Sequence, residues 1–315
     1  MKNFTSAKDV TDLAGLVQLA RDIKADPFRF RDVGKEKTMV LLFFNPSLRT
    51  RLSTEKAALN LGMQVISMNA DQGWTLEFEE GAIMNAGSAE HVKEAAAVVS
   101  QYADIIGIRT FPGLKDREKD YTEQVIEAFK KYASAPIVSL ESATRHPLQS
   151  LADVITIEEF KKRARPKVVL SWAPHVRALP QAVPNSFVEW MKIANVDLVV
   201  TNPEGYELAD EFMDGVQLEY DQQKAFEGAD FIYAKNWSSY REYGQILSQD
   251  EAWRISQDKM VNWANNAYFM HCLPVRRNVV VEDAVLDGPN SIVIKQANNR
   301  TWAAQAVLKK VLEEM

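Results

Sequence analysis

The sequence of 315 residues is poor in cysteine and histidine, with one cysteine, Cys272, and four histidines. A single thiol cannot form an internal disulfide, and the histidines show no metal-ligand spacing with one another or with the thiol, so no zinc site is expected. No apolar run approaches the roughly 18 residues that a membrane-spanning helix needs. No charged and apolar leader precedes the first predicted helix, and we therefore expect a cytoplasmic protein without a membrane partner.

Basic residues are also in deficit, because 37 Lys and Arg stand against 43 Asp and Glu and give a net charge of -6. A surface that binds nucleic acid needs concentrated Lys and Arg, so a nucleic-acid partner is not expected. No predicted strand is followed by a Gly-x-Gly-x-x-Gly turn, which argues against a dinucleotide cofactor. We expect no cofactor, and any bound anion must be held locally by a few side chains.

The sequence does contain a regular alternation of short aliphatic or β-branched runs with helical stretches. This alternation predicts the α/β class, with two doubly wound parallel-sheet domains and a cleft between them. The strands predicted in the first half are 38–44, 64–69, 104–109 and 136–141. Those predicted in the second half are 167–172, 196–201, 231–235, 268–273 and 291–295.

The predicted helices separate these strands. They are a first helix capped by Ser6, 48–61, 88–102, 121–133, a long helix from His146 or Pro147 past Phe160, and 301–314. We place the domain boundary inside the long helix. The predicted domains are 1–148 and 149–300, and the C-terminal helix 301–315 could pack on either of them.

Polar groups follow several predicted strands at their carboxyl ends, where open α/β sheets bind ligands. The segment 47–51, Ser-Leu-Arg-Thr-Arg, opens a helix after the first strand. Backbone N–H groups, the helix dipole, two hydroxyls and a guanidinium meet there and could hold a phosphate dianion. The alternative is that Ser47 is only a helix cap and that both arginines are solvated, with Arg51 paired to Glu55 one turn on.

Arg109, Glu141, His146 and Gln149 follow later strands of the same predicted sheet. Each of them alone says little, since a lone histidine near a helix start is commonly a cap or a satisfied core group. Together with the first arginine of segment 47–51, they would surround one anion with two guanidiniums, an imidazole and a carboxamide. That set suits the chemistry of an acyl phosphate.

Three sequence motifs resemble, in order and approximate spacing, the signatures of the aspartate/ornithine carbamoyltransferase family. They are Ser-Leu-Arg-Thr-Arg at 47–51, His-Pro-Leu-Gln at 146–149 followed by Leu-Ala-Asp at 151–153, and His-Cys-Leu-Pro at 271–274. The resemblance covers nearly the whole chain. It implies a carbamoyltransferase of arginine biosynthesis, with a carbamoyl phosphate domain, then an amino-acid domain, and a C-terminal helix that returns to the first domain. It also implies a homotrimer whose active sites are shared between subunits.

The same resemblance implies which residues surround carbamoyl phosphate. They are Ser47, Leu48, Arg49, Thr50, Arg109, His146, Gln149, Cys272, Leu273 and Arg300, together with Trp74 from a neighbouring subunit. The residues implied to act in catalysis are Arg49, Thr50, Arg109, His146, Cys272 and Arg300. No covalent intermediate with the enzyme is expected, because orientation and preorganised charge would supply much of the acceleration.

One departure from the family pattern bears on the acceptor. Ordinary ornithine enzymes of the family carry an Asp, before a Trp-x-Ser-Met-Gly loop, that pairs with the α-ammonium of ornithine, whereas this chain reads Lys235-Asn-Trp-Ser-Ser and lacks the loop. Two like charges about 5 Å apart repel by roughly 3 kcal/mol at an effective dielectric constant of about 20. We therefore expect an acceptor whose α-nitrogen is acylated, with Lys235 binding its α-carboxylate. This matches the N-acylornithine branch of the family.

The stretches 172–187 and 271–278 are also similar to that branch. The resemblance assigns acylornithine binding to Glu90, Glu141, His175, Lys235 and Arg276. Members of the branch have a proline-rich loop, here Leu179 to Pro184, that passes through another loop and knots the second domain.

Glu90 bears on the size of the acyl group. At this family position its carboxylate would tolerate an acetyl group and repel the second carboxylate of a succinyl group. Val280 occupies a position where acetyl enzymes carry a lysine, and it points with the remaining sequence to the succinyl type. The alternative role for Glu90 is that of an acid in a first helical turn, where it stabilises the helix dipole.

Three other functions stay open at this point. The first is ordinary ornithine carbamoyl transfer. The second is a hydrolase that uses Cys272 as a thiol nucleophile, although His271, its neighbour on a predicted strand, would point to the opposite face and could not readily activate it. The third is a binding module of the same fold that senses an anion without catalysis.

Overall fold

The structure of the protein is a computed structural model that describes residues 1–70 and 74–315. It divides the chain into two compact units. The first unit is Met1–Leu148 together with Arg300–Met315, and the second is Gln149–Asn299. A parallel sheet forms the centre of each unit, which confirms the predicted α/β class with two parallel-sheet halves. The cleft between the halves stays a prediction.

The strands of the first unit are β1 (Thr38–Phe43), β2 (Gln64–Asn69), β3 (Leu76–Glu77), β4 (Glu90–His91), β5 (Ile105–Arg109) and β6 (Ile137–Glu141). Within its described residues, four of them form a parallel sheet in the order β2-β1-β5-β6, and β3 pairs with β4 in a separate ladder. Strands β5 and β6 are buried throughout, and strands buried on both faces read as continuous apolar runs. The predicted bounds of the four sheet strands agree with the structure to within one residue.

The helices of the first unit are α1 (Leu13–Ala25), α2 (Arg49–Asn60), α3 (Val92–Val99), α4 (Arg117–Tyr121) and α5 (Gln124–Tyr132). The predicted cap of the first helix is wrong. Ser6 caps a short 3-10 helix, Ala7–Asp9, and the Asp12 side chain caps α1 by accepting from the Gly15 N–H at 2.8 Å. Both Ser6 and Asp12 precede the apolar face of α1 and have side chains that can cap a helix, and it is Asp12 that starts the α-helix.

Helix α6 (Pro147–Phe160) begins at one of the two predicted starts and ends at Phe160 instead of continuing past it. The division between the units falls inside this helix, between Leu148 and Gln149.

The strands of the second unit are β7 (Lys167–Trp172), β8 (Asp197–Thr201), β9 (Gln217–Glu219), β10 (Phe231–Lys235) and β11 (Tyr268–Met270). They form a parallel sheet in the order β11-β10-β7-β8-β9. The helices of this unit are α7 (Ala182–Ile193), α8 (Asp210–Met213), α9 (Gln222–Phe226), α10 (Gln257–Asn262) and α11 (Asp283–Leu286), with a 3-10 helix at Glu251–Trp253. Helix α12 (Val293–Leu312) follows, and its part from Arg300 onward belongs to the first unit.

The strand predicted at 291–295 is wrong. Ser291 makes a single bridge to Phe269, and α12 starts at Val293, well before the predicted start of the last helix. The β-branched run resembles a strand, but Ile292 and Val293 are both buried while Ile294 is 70% exposed, as on one face of a helix. The second sheet nevertheless has five strands, because β9 takes part in it, and the β9 sequence Gln-Leu-Glu has no apolar run that would predict a strand.

No helix within residues 1–70 and 74–315 is long and apolar enough to cross a membrane. Over the same ranges, no group of three or more His, Cys, Asp or Glu side chains is placed to hold a metal ion.

Candidate active site

The segment 47–51 follows β1 after a short loop and leads into the first turn of α2, which starts at Arg49. Backbone N–H groups at the start of a helix have no partner within the helix and lie at the positive end of its dipole. Ser47 Oγ accepts from the Thr50 N–H at 3.3 Å, and Leu48 makes no side-chain cap. Thr50 is buried, whereas Leu48 is exposed. This turn therefore has the groups of an anion site.

Two arginines contact the neighbourhood of this turn in different ways. Arg51 donates to Asn69 Oδ1 at the end of β2, and its guanidinium lies 4.4 Å from the centre of the Phe43 ring. Arg300, on α12, is buried, and its Nη2 donates to Thr50 Oγ1 at 2.5 Å. The structure thus brings Arg300 to the segment 47–51 and holds Arg51 against the sheet edge, in contrast to the solvated arginine of the alternative interpretation.

Arg109, Glu141 and His146 form a buried cluster at the carboxyl ends of β5 and β6. Glu141 Oε2 lies 3.1 Å from Arg109 Nε, 2.9 Å from Arg109 Nη2 and 3.6 Å from His146 Nε2. Arg109 Nη1 also donates to the carbonyl oxygens of Asn45 and Pro46 at 3.0 and 2.6 Å. The carboxylate and the loop after β1 therefore hold the guanidinium in one orientation.

Glu123 organises the loop that leads to His146, and no motif in the sequence points to it. Its carboxylate accepts from Ser142 Oγ at 2.7 Å, from the Thr144 N–H at 2.8 Å, from the Ala143 N–H at 3.2 Å and from the Thr144 hydroxyl. The backbone of Glu123 is left-handed, with a φ of 53°. Non-glycine residues rarely adopt this conformation, so the hydrogen bonds have to stabilise it.

Trp74 and Glu90 contact each other in the first unit. The indole Nε1 donates to Glu90 Oε2 at 2.7 Å, and Leu76 pairs with Glu90 in the ladder of β3 and β4. Glu90 is therefore a strand residue, and the alternative that places it in a first helical turn is wrong, because α3 starts at Val92 with His91 as its cap. Trp74, which the resemblance assigns to carbamoyl phosphate, is thus hydrogen-bonded to Glu90, which it assigns to the acyl group.

His175, Lys235 and Arg276 form a cationic edge at the carboxyl ends of the second sheet. Lys235 ends β10 and pairs in register with Trp172, the last residue of β7. Arg276 Nε donates to His175 Nε2 at 3.1 Å. Burial lowers the pKa of His175, and the charges of Lys235 and Arg276 lower it further. Since a guanidinium can only donate, the imidazole accepts in its neutral form, and the two cations make this edge suited to a carboxylate.

The segment 271–274, His-Cys-Leu-Pro, is a turn after β11. The strand ends at Met270, so the predicted strand position of His271 and Cys272 is wrong. His271 Nδ1 accepts from the Leu273 N–H at 2.9 Å, and Leu273 has a left-handed φ of 54°. Because this hydrogen bond occupies His271 Nδ1, the imidazole serves the shape of the turn, which weakens the interpretation of Cys272 as an activated nucleophile.

Asp153 and Gln296 connect the motifs of the second unit, and neither role follows from the sequence. Asp153 Oδ1 accepts from Gln149 Nε2 at 2.8 Å and from Gln296 Nε2 at 2.7 Å. Gln296 Oε1 accepts from the His271 N–H at 2.9 Å. The phenol of Tyr233 is buried beside this group, and burial together with Asp153 and the Cys272 thiol raises the pKa of Tyr233 well above its usual value.

The predicted knotting loop is bound by the segment after β10. The Leu179 carbonyl oxygen accepts from the N–H and the hydroxyl of Ser238, both at 2.9 Å, and Gln181 Nε2 donates to the Ser238 carbonyl oxygen at 2.7 Å. Pro184 already lies in the first turn of α7, where proline is tolerated, so the loop is shorter than predicted. The knot itself stays a prediction.

Each unit thus presents a distinct set of groups. The first offers helix N–H groups, guanidiniums and an imidazole, which together can bind a phosphate and donate to an oxyanion. The second offers a cationic edge for a carboxylate and a turn whose backbone carbonyls can accept from an amide.

Two family models match the chain. The model described as aspartate/ornithine carbamoyltransferase, carbamoyl-P binding domain, matches residues 2–159. The model described as aspartate/ornithine carbamoyltransferase, Asp/Orn binding domain, matches residues 180–311.

Relatives with known names are similar over nearly their full length. The N-succinylornithine carbamoyltransferase of Bacteroides thetaiotaomicron is 55% identical over 316 residues, which cover 99% of each chain. The N-acetylornithine carbamoyltransferase of Xanthomonas campestris pv. campestris is 35% identical, and the alignment covers 87% of each chain. A crystal structure of acetylornithine transcarbamylase complexed with acetylcitrulline matches with a TM-score of 0.93 at 34% identity and covers 99% of each chain.

Proposed function

The chain belongs to the aspartate/ornithine carbamoyltransferase family, and we propose that it transfers the carbamoyl group of carbamoyl phosphate to the δ-amine of an N-acylornithine. The products are an N-acylcitrulline and phosphate. The observation that carries this acceptor is the cationic edge of His175, Lys235 and Arg276, which attracts an α-carboxylate and repels a free α-ammonium. The relatives named for N-succinylornithine and N-acetylornithine support the same class of acceptor.

We assign carbamoyl phosphate to groups near the start of α2, at the carboxyl end of β5, at the start of α6 and in the turn 271–274. The phosphate binds to the backbone N–H groups of Ser47 to Thr50 and to Arg49, and Trp74 of a neighbouring subunit covers it. Thr50, Arg109 and His146 donate to the carbonyl oxygen, and Arg300 holds the Thr50 hydroxyl in place. The carbamoyl NH2 donates to Gln149 and to the carbonyl oxygens of Cys272 and Leu273.

The reaction needs no enzyme nucleophile. The neutral δ-amine attacks the carbonyl carbon, a C–N bond forms, and negative charge builds on the carbonyl oxygen. The C–O bond to phosphate then breaks, and one proton of the amine nitrogen passes to the departing phosphate. Fixed donors that face the developing charge lower the barrier, since they need no reorganisation during the step.

The acceptor set consists of Glu141, His175, Lys235 and Arg276, with Glu90 facing the acyl group. Within the first unit, Glu141 forms an ion pair with Arg109, which is assigned to the carbonyl oxygen of carbamoyl phosphate. Glu90 favours an acetyl group, because its carboxylate, held by the Trp74 indole, would repel the distal carboxylate of a succinyl group. Val280 stands where acetyl enzymes of the family carry a lysine. Its apolar side chain is buried in the core of the second unit, so this position supplies no cation to either acyl group.

The proposal is tested by product assays with carbamoyl phosphate and, in separate reactions, ornithine, N-acetylornithine and N-succinylornithine. We expect ureido product from the acylated acceptors, with N-acetylornithine preferred. Best turnover with free ornithine would overturn the role of Lys235. Loss of all activity in Cys272→Ser would favour a thiol hydrolase, and binding of carbamoyl phosphate without phosphate release would favour an anion-binding module.

We further propose that the protein acts as a cytoplasmic homotrimer in arginine biosynthesis. An apolar surface supports the assembly. It consists of the exposed side chains of Leu48 just before α2, of Leu52 and Leu59 on α2, and of Ile66 and Met68 on the edge strand β2. Edge strands with exposed apolar residues pair or pack readily with another chain.

A further inference from the structure

A buried carboxylate in the second unit joins two of the motifs that the proposed function uses. Asp153 Oδ1 accepts from two amide groups, Gln149 Nε2 at 2.8 Å and Gln296 Nε2 at 2.7 Å. All three side chains are 0% exposed. Gln149 closes the motif 146–149, and Gln296 lies in α12.

The direction of these hydrogen bonds follows from chemistry alone. A carboxylate oxygen accepts, so both amides must turn their NH2 groups toward Asp153. The oxygen of the Gln149 amide is then fixed at the opposite end of that group. The oxygen of Gln296 accepts from the His271 N–H at 2.9 Å, which fixes the orientation of this amide as well.

The same network shapes the backbone of the turn 271–274. Gln296 holds the His271 N–H, and His271 Nδ1 in turn accepts from the Leu273 N–H at 2.9 Å. Leu273 is left-handed, a conformation that persists only where surrounding contacts define it. The carbonyl oxygens of Cys272 and Leu273 therefore have a direction set by the hydrogen bonds that begin at Asp153.

We propose that Asp153 and Gln296 are positioning residues that turn three acceptors, the Gln149 amide oxygen and the carbonyl oxygens of Cys272 and Leu273, toward the carbamoyl NH2. This inference rests on the proposed function, which assigns those three groups to the NH2. In this role the two residues contribute to the specificity for carbamoyl phosphate. A site of fixed acceptors favours an NH2 group and rejects a methyl group of the same size, because the acceptors would be left unpaired.

Acetyl phosphate is the probe, since it differs from carbamoyl phosphate by a methyl group in place of the NH2. We expect the wild-type protein to bind carbamoyl phosphate at least tenfold more tightly than acetyl phosphate when both affinities are measured by calorimetry. Asp153→Leu and Gln296→Leu are each expected to reduce this ratio about tenfold or more, mainly through weaker binding of carbamoyl phosphate. Asp153→Asn keeps an oxygen for both amides and is expected to retain the wild-type ratio within about threefold.

A matched control is Thr156→Val, which removes a buried hydroxyl of α6 that donates to the Ala152 carbonyl oxygen at 2.6 Å and lies outside the network. It should lose stability without changing the affinity ratio. An unchanged ratio in folded Gln296→Leu, or a ratio lost as fully in Asp153→Asn as in the leucine variants, would overturn the proposal. Affinities do not require turnover, so a wild-type protein that discriminates between the two phosphates but forms no ureido product would refute the proposed function alone.

Discussion

Lys235 carries its charge at the end of β10, close enough to His175 to contribute to the lowered pKa of that imidazole. The positive charges of Lys235 and Arg276 therefore both act on the region around His175. At about 5 Å, each unit charge on a ligand would feel roughly 3 kcal/mol from one such cation at an effective dielectric constant of about 20. With Lys235 in its proposed role, the sign of this one charge would separate acceptors with a free α-nitrogen from acceptors with an acylated one.

Replacing Lys235 by Met, which keeps the aliphatic stem, is expected to raise KM for the acylornithine about 10- to 100-fold, because a charge-assisted contact to the α-carboxylate is lost. KM for carbamoyl phosphate should stay within about twofold. Lys224→Met, at an exposed lysine of α9, is the matched control in the steady-state assay. Equal increases of both KM values would contradict the assignment.

Glu90 is expected to control the acyl group through its charge. Glu90→Gln removes the charge but keeps an oxygen for the Trp74 indole, and Glu90→Pro removes both. Both variants should shift the ratio of kcat/KM values toward N-succinylornithine by about 10- to 100-fold, the size of one screened charge repulsion. Glu94→Gln, an exposed acid in the first turn of α3, is the control. If the preference between the two acylornithines is unchanged in both variants, Glu90 does not determine the acyl specificity.

His175 predicts a pH dependence of stability. Its pKa in the folded protein lies below the ordinary value of 6.5, chiefly because of burial, so the unfolded chain binds the proton first as the pH falls. Its stabilising contribution is present above the ordinary value and is lost as the pH falls through the folded pKa. Compared with His175→Gln, the wild-type Tm should drop more between pH 7 and pH 5. A difference in Tm that stays constant over this range would contradict the lowered pKa.

At the scale of elements, the start of α5 supports a loop of the site. Glu123 receives hydrogen bonds from Ser142, Ala143 and Thr144, just before His146. The backbone of Glu123 is left-handed where its carboxylate accepts these hydrogen bonds. A short helix and a loop distant in sequence are therefore stabilised by one residue.

Glu123→Ala is expected to lower the free energy of unfolding by about 2 to 3 kcal/mol, because several donors lose a charged acceptor. Glu123→Gly should be less damaging than the alanine variant by about 1 kcal/mol, since glycine adopts a positive φ without strain. Urea unfolding measures both. Glu127→Ala, which removes an exposed ion pair with Lys130 one turn on, should change stability by less than about 1 kcal/mol. The reverse order of the alanine and glycine variants would contradict the role of the backbone.

Elements with a dense apolar signal could be predicted from the sequence, and elements defined by tertiary contacts could not. Strand β10 is predicted without error because its interior is buried on both faces. Strand β9 has no such signal, and the run before α12 misleads because β-branched residues favour strands unless packing decides otherwise.

The candidate site divides in the same way. The residues of motifs, such as Arg109 and His146, could be named in advance. Glu123 and Gln296, which hold them, act through contacts between distant segments, for which a single sequence carries no periodic or local pattern. Asp153 belongs to the motif 151–153 and lies one helical turn from Gln149, but its contact with Gln296 is of the same distant kind.

At the scale of the molecule, the apolar surface of α2 and β2 supports association. Leu52 and Ile66 are 57% and 46% exposed, and β2 lies at the edge of its sheet. Ile66→Lys is expected to reduce the molar mass measured by light scattering from that of a trimer to that of a monomer, because a charge would be buried at the interface. Activity should fall with it, since the proposed function places Trp74 in the site of a neighbouring subunit. Val98→Lys, at an exposed apolar residue on α3, should leave the mass unchanged. A trimer that persists in Ile66→Lys would place the interface elsewhere.

The discontinuity of the first unit has a consequence for biosynthesis. During translation, residues 1–148 leave the ribosome long before Arg300–Met315, and all of Gln149–Asn299 is made in between. The nascent chain therefore carries an amino-terminal half that lacks its last helical segment, while the inserted half can already fold. Thr50 can receive the Arg300 guanidinium only after Gln149–Asn299 has been made, so the proposed anion site at the start of α2 is completed late in synthesis.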